Sequence, residues 1–492
     1  MIAMAEQEKA SYFKFPTMHT YISYLSSLIR RDYTAMMSVF LTCLSAYTDE
    51  PLNLFLKGES STGKTYISTT VAKVFPPDDV WILAGLSPKA LVHLKGHWED
   101  EEGNEIDMTN IPKKEDIEEY HEWKERMENA RYVIELKNKT LIFLEAPAQE
   151  VFMVLRPLLS HDKFESEYKI VEKDKRGPYK TQTIVLRGWP ATVFCTTNVK
   201  YIEELATRSF TVSPETTTDK IKGAIHRTAE EHSTINYKEK VEIEAKTLQP
   251  YISYVAAASS NFNVLIPFAE DVEKLFPGVR PREMRDVAHL FGMIKAVALF
   301  NFVRRPYVEV DGKKYLLATL DDLKFVLQIF SRIRETTELG LPEKVLIFFH
   351  EICENLKEFT ISDAVTTWNA RHSLDKKSRD TIEKWLKALE EANLVSSEPD
   401  PADKRRVVWR ALSRNSPEIS RENPNRLISS LFPLNSFEKW LKSNIRNPNE
   451  NTYYNNPISK QKIDEAKLYS ILTKRICTSI RISDISSGHI FE

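Results

Sequence analysis

With 492 residues the chain has length for two to four domains with substantial cores. Its hydrophobic fraction of 42% and charged fraction of 28% suit an ordinary globular protein, no apolar run reaches membrane-spanning length, and MIAMAEQEKASYFKF lacks a secretory signal pattern. Cys43, Cys195, Cys353 and Cys477 are scattered without CxxC, which excludes a disulfide framework and predicts a cytoplasmic location without membrane attachment, while a net charge of −2 leaves nucleic-acid binding to local clustering.

Residues 1–50 read as a helical lead-in, with apolar Leu25, Leu28, Ile29, Met36, Met37, Phe40, Leu41 and Leu44 spread over a helical segment from 18 to 48. The stretch Leu52 to Val74, LNLFLKGESSTGKTYISTTVAKV, organises the rest of the chain. An apolar run predicts a buried strand, Tyr66 to Val74 predicts a helix, and Gly58-Glu59-Ser60-Ser61-Thr62-Gly63-Lys64-Thr65 between them fits the phosphate-loop pattern at every defined position. Glycines let backbone N–H groups curl around a polyphosphate, and the helix N-terminus adds its positive dipole end. Lys64 is then the ligand of the β- and γ-phosphates of ATP, and the Thr65 hydroxyl a ligand of Mg²⁺.

Val80 to Leu83 predicts a second strand, and the acidic segment 96–131 reads as a solvated insertion ending in a charged helix. Thr140 to Leu144 predicts another buried strand, followed at once by Glu145. A carboxylate there, downstream of a phosphate loop, is where an ATPase holds Mg²⁺ or polarises the attacking water. Usual versions place two acids in sequence, whereas Leu144 and Ala146 flank a single Glu, which must order the metal, activate the water, or both. Residues 164–191 read as a β-hairpin with the tip Lys173-Asp174-Lys175-Arg176-Gly177, either a solvated turn or a grip on a phosphate backbone. Thr192 to Asn198 predicts a strand whose end offers Asn198 to the attacking water or the γ-phosphate. Arg208 comes next, either a salt-bridged surface residue or an arginine offered to a neighbouring subunit's phosphate.

From about 214 the pattern is helical. Arg280, Arg282 and Arg285 crowd the helix start around Pro281, where cations oppose the dipole and call for a compensating anion such as a bound phosphate. A hairpin turning at Asp311-Gly312 comes after it, then a helix capped by Thr319. Residues 339–412 predict three helices and a strand–turn–strand, a winged-helix arrangement that in other proteins contacts either DNA or protein. Lys376, Lys377, Arg379, Lys384 and Lys387 gather on and before its third helix, with Lys404, Arg405 and Arg406 on the wing. Residues 413–492 read as a polar, partly disordered tail with one helix near 437–445.

The order of these motifs resembles the AAA+ ATPases, and within them most closely the minichromosome-maintenance (MCM)-like helicases of viruses and mobile elements. The resemblance covers roughly residues 50–412 and rests on GESSTGKT, AGLSPKAL, LIFLEAP, the hairpin, FCTTN, ATRSF and VRPREMRD. It implies an α/β fold: a P-loop AAA+ core with a parallel sheet and inserted β-hairpins (51–213), a helical lid (214–338) and a C-terminal winged helix (339–412). It implies roles as well: Glu145 as the Walker B carboxylate, Asn198 as sensor 1, Arg208 as arginine finger, and Arg280 or Arg282 as sensor 2. Lys175 and Arg176 would lie on a DNA-pulling pore hairpin. The N-terminal DNA-binding and zinc-bearing region of cellular MCM proteins is absent from this sequence.

The function expected is ATP-dependent DNA translocation by a homo-oligomeric, hexameric ring, with single-stranded or forked DNA and a replication or loading protein as partners. Two rivals remain: an AAA+ DNA-binding switch of the target-selection or initiator kind that does not unwind, and a nucleotide-sensing scaffold.

Overall fold

A computed structural model describes residues 15–84, 94–113, 116–145, 147, 149–172, 180–197, 209–276, 278, 283–339, 341, 343–373, 375–392, 394–399, 407–412, 431–444, 452–454 and 456–473. Helices α1 (Met18–Leu28) and α2 (Tyr33–Ser45) lead into strand β1 (Asn53–Lys57), and α3 (Lys64–Ala72) comes after it. Strands β2 (Val80–Leu83), β3 (Thr140–Phe143), β4 (Ala191–Thr196) and β5 (Phe210–Val212) join β1 in one sheet. Its order is β5-β1-β4-β3-β2, and every neighbouring pair is parallel.

Parallel strands covered on both faces carry apolar residues at successive positions. Here Leu54, Leu56, Ile142, Val193, Cys195, Phe210 and Val212 face one core, shared with α1, α2 and α3. Phe55, Leu141, Phe143 and Phe194 face a second core with the helix Gln149–Leu159. In that core Phe194 stacks between Phe55 (4.8 Å) and Phe143 (4.9 Å). Helix α2 buries nearly every side chain, so it is a central core element and more than a lead-in.

The acidic segment departs from the solvated insertion expected of it. Its strands His97–Glu99 and Glu105–Ile106 join Arg131–Glu135, Lys180–Arg187 and Glu165–Glu172 in a second five-stranded sheet. The last two pair antiparallel as the predicted hairpin arms, and its tip at 173–179 lies outside the described residues. The helix Ile117–Glu128, which buries no side chain, and the exposed residues 107–111 do match a solvated face. The organising contact is electrostatic. Arg187 grips the buried Glu99 through both carboxylate oxygens, at 2.7 and 2.8 Å, and also reaches Glu135 (3.1 Å) and Glu165 (2.5 Å). Arg131 and His97 add contacts to Glu99 at 3.3 and 3.0 Å.

Beyond β5 come α4 (Thr218–Ser233), α5 (Tyr237–Ser259) and α6 (Glu283–Phe300). The start of α6 carries its own anions: Glu283 and Asp286 lie buried in its first turn, and Glu283 accepts the Gly278 N–H at 2.7 Å. The helix therefore meets its dipole with protein carboxylates of its own first turn. Asp311 and Gly312 have φ of +49° and +73°, the left-handed pair that a two-residue hairpin turn demands.

Residues 343–411 hold a separate core. A helix from Glu343, the strand Glu358–Thr360, the helix Ile361–Arg371, then α7 (Arg379–Glu391) and the strands Val395–Pro399 and Val407–Ala411 enclose Phe348, Trp368, Leu386 and Trp409. The polar tail also folds back. Helix Leu434–Asn444 stands near its expected place, strand Thr452–Tyr454 pairs with Tyr307–Val310, and Phe432, Phe437, Leu441, Leu468 and Leu472 are buried in the main core. Apolar residues set so far apart among Asn, Ser and Lys give no periodic signal. Among the described residues no helix is long and apolar enough to cross a membrane.

Pairing with Arg187 holds the Glu99 carboxyl down at about 2, despite the opposing effect of burial. A depressed folded-state value stabilises above the unfolded carboxylate range and is lost as pH falls toward 2. Arg187→Ala should cost about 3 kcal/mol in urea unfolding at neutral pH, because it strands a buried charge. Between pH 4.5 and 2.5 the wild type should lose more unfolding free energy than the variant.

Candidate nucleotide-binding site

The loop Gly58–Thr65 leaves the carboxyl end of β1, where open α/β sheets place their ligands. Its root is fixed to the neighbouring strand: the Gly58 N–H donates to the Thr196 carbonyl at 3.2 Å. The turn requires left-handed backbone at two positions, Ser61 (φ +66°) and Gly63 (φ +91°). A Cβ on Gly58 would stand 2.9 Å from the Thr62 hydroxyl, so a side chain there would force Thr62 to shift. That hydroxyl donates to the Glu59 carbonyl at 2.9 Å and closes the loop on itself.

Gly63 is the N-cap of α3 and brings no capping side chain, so the first-turn amides face the loop without a side-chain acceptor. Such a turn favours anions through donors and dipole alike. The Lys64 ammonium lies within the loop, donating to the Gly58 and Glu59 carbonyls at 2.7 and 2.6 Å. Burial lowers its pKa below the ordinary lysine value, with Cys195 acting the other way. Cys195 itself is buried against Ser68 (3.4 Å), and burial pushes its thiol up. The Thr65 side chain is exposed one residue further on.

Glu145 is exposed just beyond β3. Phe143 lies opposite Phe194, so continuing that register puts Glu145 level with Thr196, whose other neighbour is Lys57. Two strand spacings, roughly 10 Å, separate its backbone from the root of the loop. Phosphate loop, the end of β4 and Glu145 thus share one edge of the sheet. Asn198, Arg208, Arg280 and Arg282 lie outside the described residues, as do Lys173, Lys175, Arg176, Arg405 and Arg406. Of the remaining basic positions, Lys376 and Arg379 are exposed at the head of α7, whereas Lys377 is tied to Asp375 at 2.5 Å.

Sequence reasoning missed two residues here. Lys220, in the first turn of α4, donates to the Thr62 carbonyl at 2.9 Å and forms an ion pair with buried Asp32. Asp32 also accepts the Glu215 N–H at 3.1 Å. Burial pushes the Asp32 carboxyl up, with Lys220 and the Glu215 amide opposing. A lone Asp before one helix and a Lys in another, 188 positions apart (220 − 32), carry no spacing signal.

No family model matches the chain, and no curated protein matches it. Among solved structures it is similar to a candidate ATPase from Cytophaga hutchinsonii at 14% identity, covering 70% of this chain and 97% of that one, with a TM-score of 0.34. It is similar also to the ORC2 protein of Aeropyrum pernix in ADPNP–ADP complexes, at 12% identity, 84% and 93% coverage and a TM-score of 0.21. The ORC1 protein of Aeropyrum pernix in complex with DNA gives 12% identity, 82% and 96% coverage and a TM-score of 0.20. Likeness at these scores is too slight to bear on function, so the reading of the site rests on its own residues.

Gly63→Ala tests the loop geometry. The nearest atom to an added Cβ is the Lys220 ammonium at 3.9 Å, so space is not the obstacle and the cost is the left-handed backbone, about 1–2 kcal/mol. The expected outcome is a melting temperature a few degrees lower and more than about tenfold weaker ATP binding in a fluorescent-nucleotide titration.

Proposed function

We propose that the chain is an AAA+ ATPase that uses ATP hydrolysis to move along DNA, an MCM-like translocase or helicase acting as a hexameric ring. The observation that carries this reading is the joint placement of the loop Gly58–Thr65 and Glu145 on one carboxyl edge of an all-parallel sheet.

In this reading Lys64 exchanges the Gly58 and Glu59 carbonyls for β- and γ-phosphate oxygens, a charge-assisted contact stronger than the one it leaves. Gly58 roots the cradle through the hydrogen bond from its amide to Thr196, and the amides of Glu59, Ser60, Ser61, Thr62 and Gly63 line the phosphates. The donor set fits a hard cation, since the Thr65 hydroxyl and the Glu145 carboxylate are both exposed oxygens at this edge. Mg²⁺ held by them would neutralise charge developing on the phosphates. Glu145, without a second acid beside it, orders the metal, orients the attacking water, or both.

Asn198 is assigned to the water or the γ-phosphate. Arg208 is assigned to the ATP of the adjoining protomer, and Arg280 or Arg282 to the γ-phosphate from the lid side. DNA contact is assigned to Lys173, Lys175 and Arg176 on the hairpin tip and to Lys376, Lys377, Arg379, Arg405 and Arg406 on the winged-helix unit. The exposure of Lys376 and Arg379 supports the last assignment. The setting proposed is replication of a mobile element in a cytoplasm.

The test is ATP turnover with and without single-stranded DNA. DNA should stimulate the wild type, and Lys64→Ala and Glu145→Gln should each lose about 10²-fold or more in kcat. Turnover indifferent to DNA would sink the motor reading. Lys175→Ala with Arg176→Ala should lower the salt slope of DNA binding by about two. DNA-stimulated turnover without displacement on a forked duplex would leave a switch in place of a helicase.

A further inference from the structure

We propose that Lys220 is a positioning residue for the phosphate loop, holding the Thr62–Gly63 peptide in the orientation that aims the Gly63 N–H at a bound phosphate. This rests on the reading of Gly58–Thr65 as a triphosphate cradle.

Three segments far apart in sequence meet at the Lys220 ammonium. It pairs with Asp32 just before α2, and it donates to the Thr62 carbonyl at 2.9 Å. It also stands 3.9 Å from where a Cβ on Gly63 would be. Neither charged group is free to wander: the Lys220 side chain is 13% exposed and that of Asp32 2%. The lysine is seated from its own helix, since Thr217 caps α4 by accepting the Lys220 N–H at 3.3 Å. Asp32 is seated in turn by the Glu215 N–H.

The mechanism lies in the geometry of one planar unit. The Thr62 C=O and the Gly63 N–H belong to the same trans peptide and point in opposite directions. Fixing the carbonyl on Lys220 therefore fixes the amide on the opposite side. The ammonium also draws density from the carbonyl and makes that amide a stronger donor. Gly63, with φ of +91°, is the loop position with the greatest freedom to rotate this peptide, so it is where an external clamp has most effect. Asp32 keeps the ammonium in place. An amide contact made in ground state and transition state alike acts on KM more than on kcat.

The experiment is a fluorescent-ATP (mant-ATP) titration of the full chain, with thermal melting and steady-state kinetics, for wild type, Lys64→Ala, Lys220→Arg and the double variant Asp32→Asn with Lys220→Met. Lys220→Met alone would strand a buried carboxylate and confound stability with binding; the double variant removes both charges. Expected are a double variant melting within about 5 °C of wild type, ATP binding about tenfold weaker with KM raised and kcat little changed, and Lys220→Arg within about threefold of wild type. If wild type binds and Lys64→Ala does not, but the double variant binds as wild type, the proposal is overturned while the nucleotide site stands. A double variant that melts far below wild type would make the tie merely structural and overturn it as well. Wild type failing to bind mant-ATP overturns both this inference and the nucleotide reading.

Discussion

The hydrogen bond from the Gly58 amide to the Thr196 carbonyl marks the point where a closed sheet becomes an open site. Up to that bond, β1 and β4 exchange ladder bonds in register from Asn53 to Lys57, and helices and a second sheet cover both faces. Past it the chain leaves the ladder, and its amides need other partners. A parallel sheet sealed on both faces leaves unpaired backbone at its outer strands and strand ends, and ligands of such sheets bind beyond the carboxyl ends. The stacked Phe55–Phe194–Phe143 layer beneath that edge keeps the three strands level. The loop root and the β4 end are tied directly by the Gly58–Thr196 bond, and Glu145 takes its height from the packing beneath.

Charge is distributed to match. The loop gathers amides, the Lys64 ammonium and, from outside, the Lys220 ammonium, while the Asp32 carboxylate beside Lys220 is buried and paired and that of Glu59 in the loop is exposed. Glu145 stands two strands away, on the same edge but clear of the loop root. A polyanion is thus drawn to one end of the site and a cation to the other, as a metal–triphosphate requires. The second sheet shows the contrast. His97, Glu99 and Glu135 present donor atoms within 4.8 Å of one another, a spacing that suits a metal. Arg187 already sits on both acids, so the charge there is spent on holding strands together.

How much of this the sequence disclosed depends on the range of each interaction. Phosphate loop, apolar strands and the Asp311-Gly312 turn are local: each is written in fewer than about ten adjacent residues, where period and backbone preference act directly. Glu99 could not be read as a buried residue, because Arg187 is 88 positions away and an acidic run without its partner looks like solvated surface. Lys220 failed for the same reason. The tail failed for another, since Phe432, Phe437, Leu441, Leu468 and Leu472 fill a surface built by earlier segments and have no period of their own.

The unit at 343–411 joins this framework at the segment that serves the loop. Lys344, paired with Asp375, donates to the Thr216 carbonyl at 3.3 Å. Residue 215 holds Asp32, and residue 217 caps the helix carrying Lys220. The magnitudes decide how such a joint behaves. A single long hydrogen bond to a backbone carbonyl is worth about 1 kcal/mol, whereas breaking the buried Asp32–Lys220 pair costs several. The unit also packs around a core of its own, which shares no residue with the other two. Of these two contacts the Lys344–Thr216 hydrogen bond is the weaker and the buried Asp32–Lys220 pair the stronger, so the loop's support is the firmer of the two.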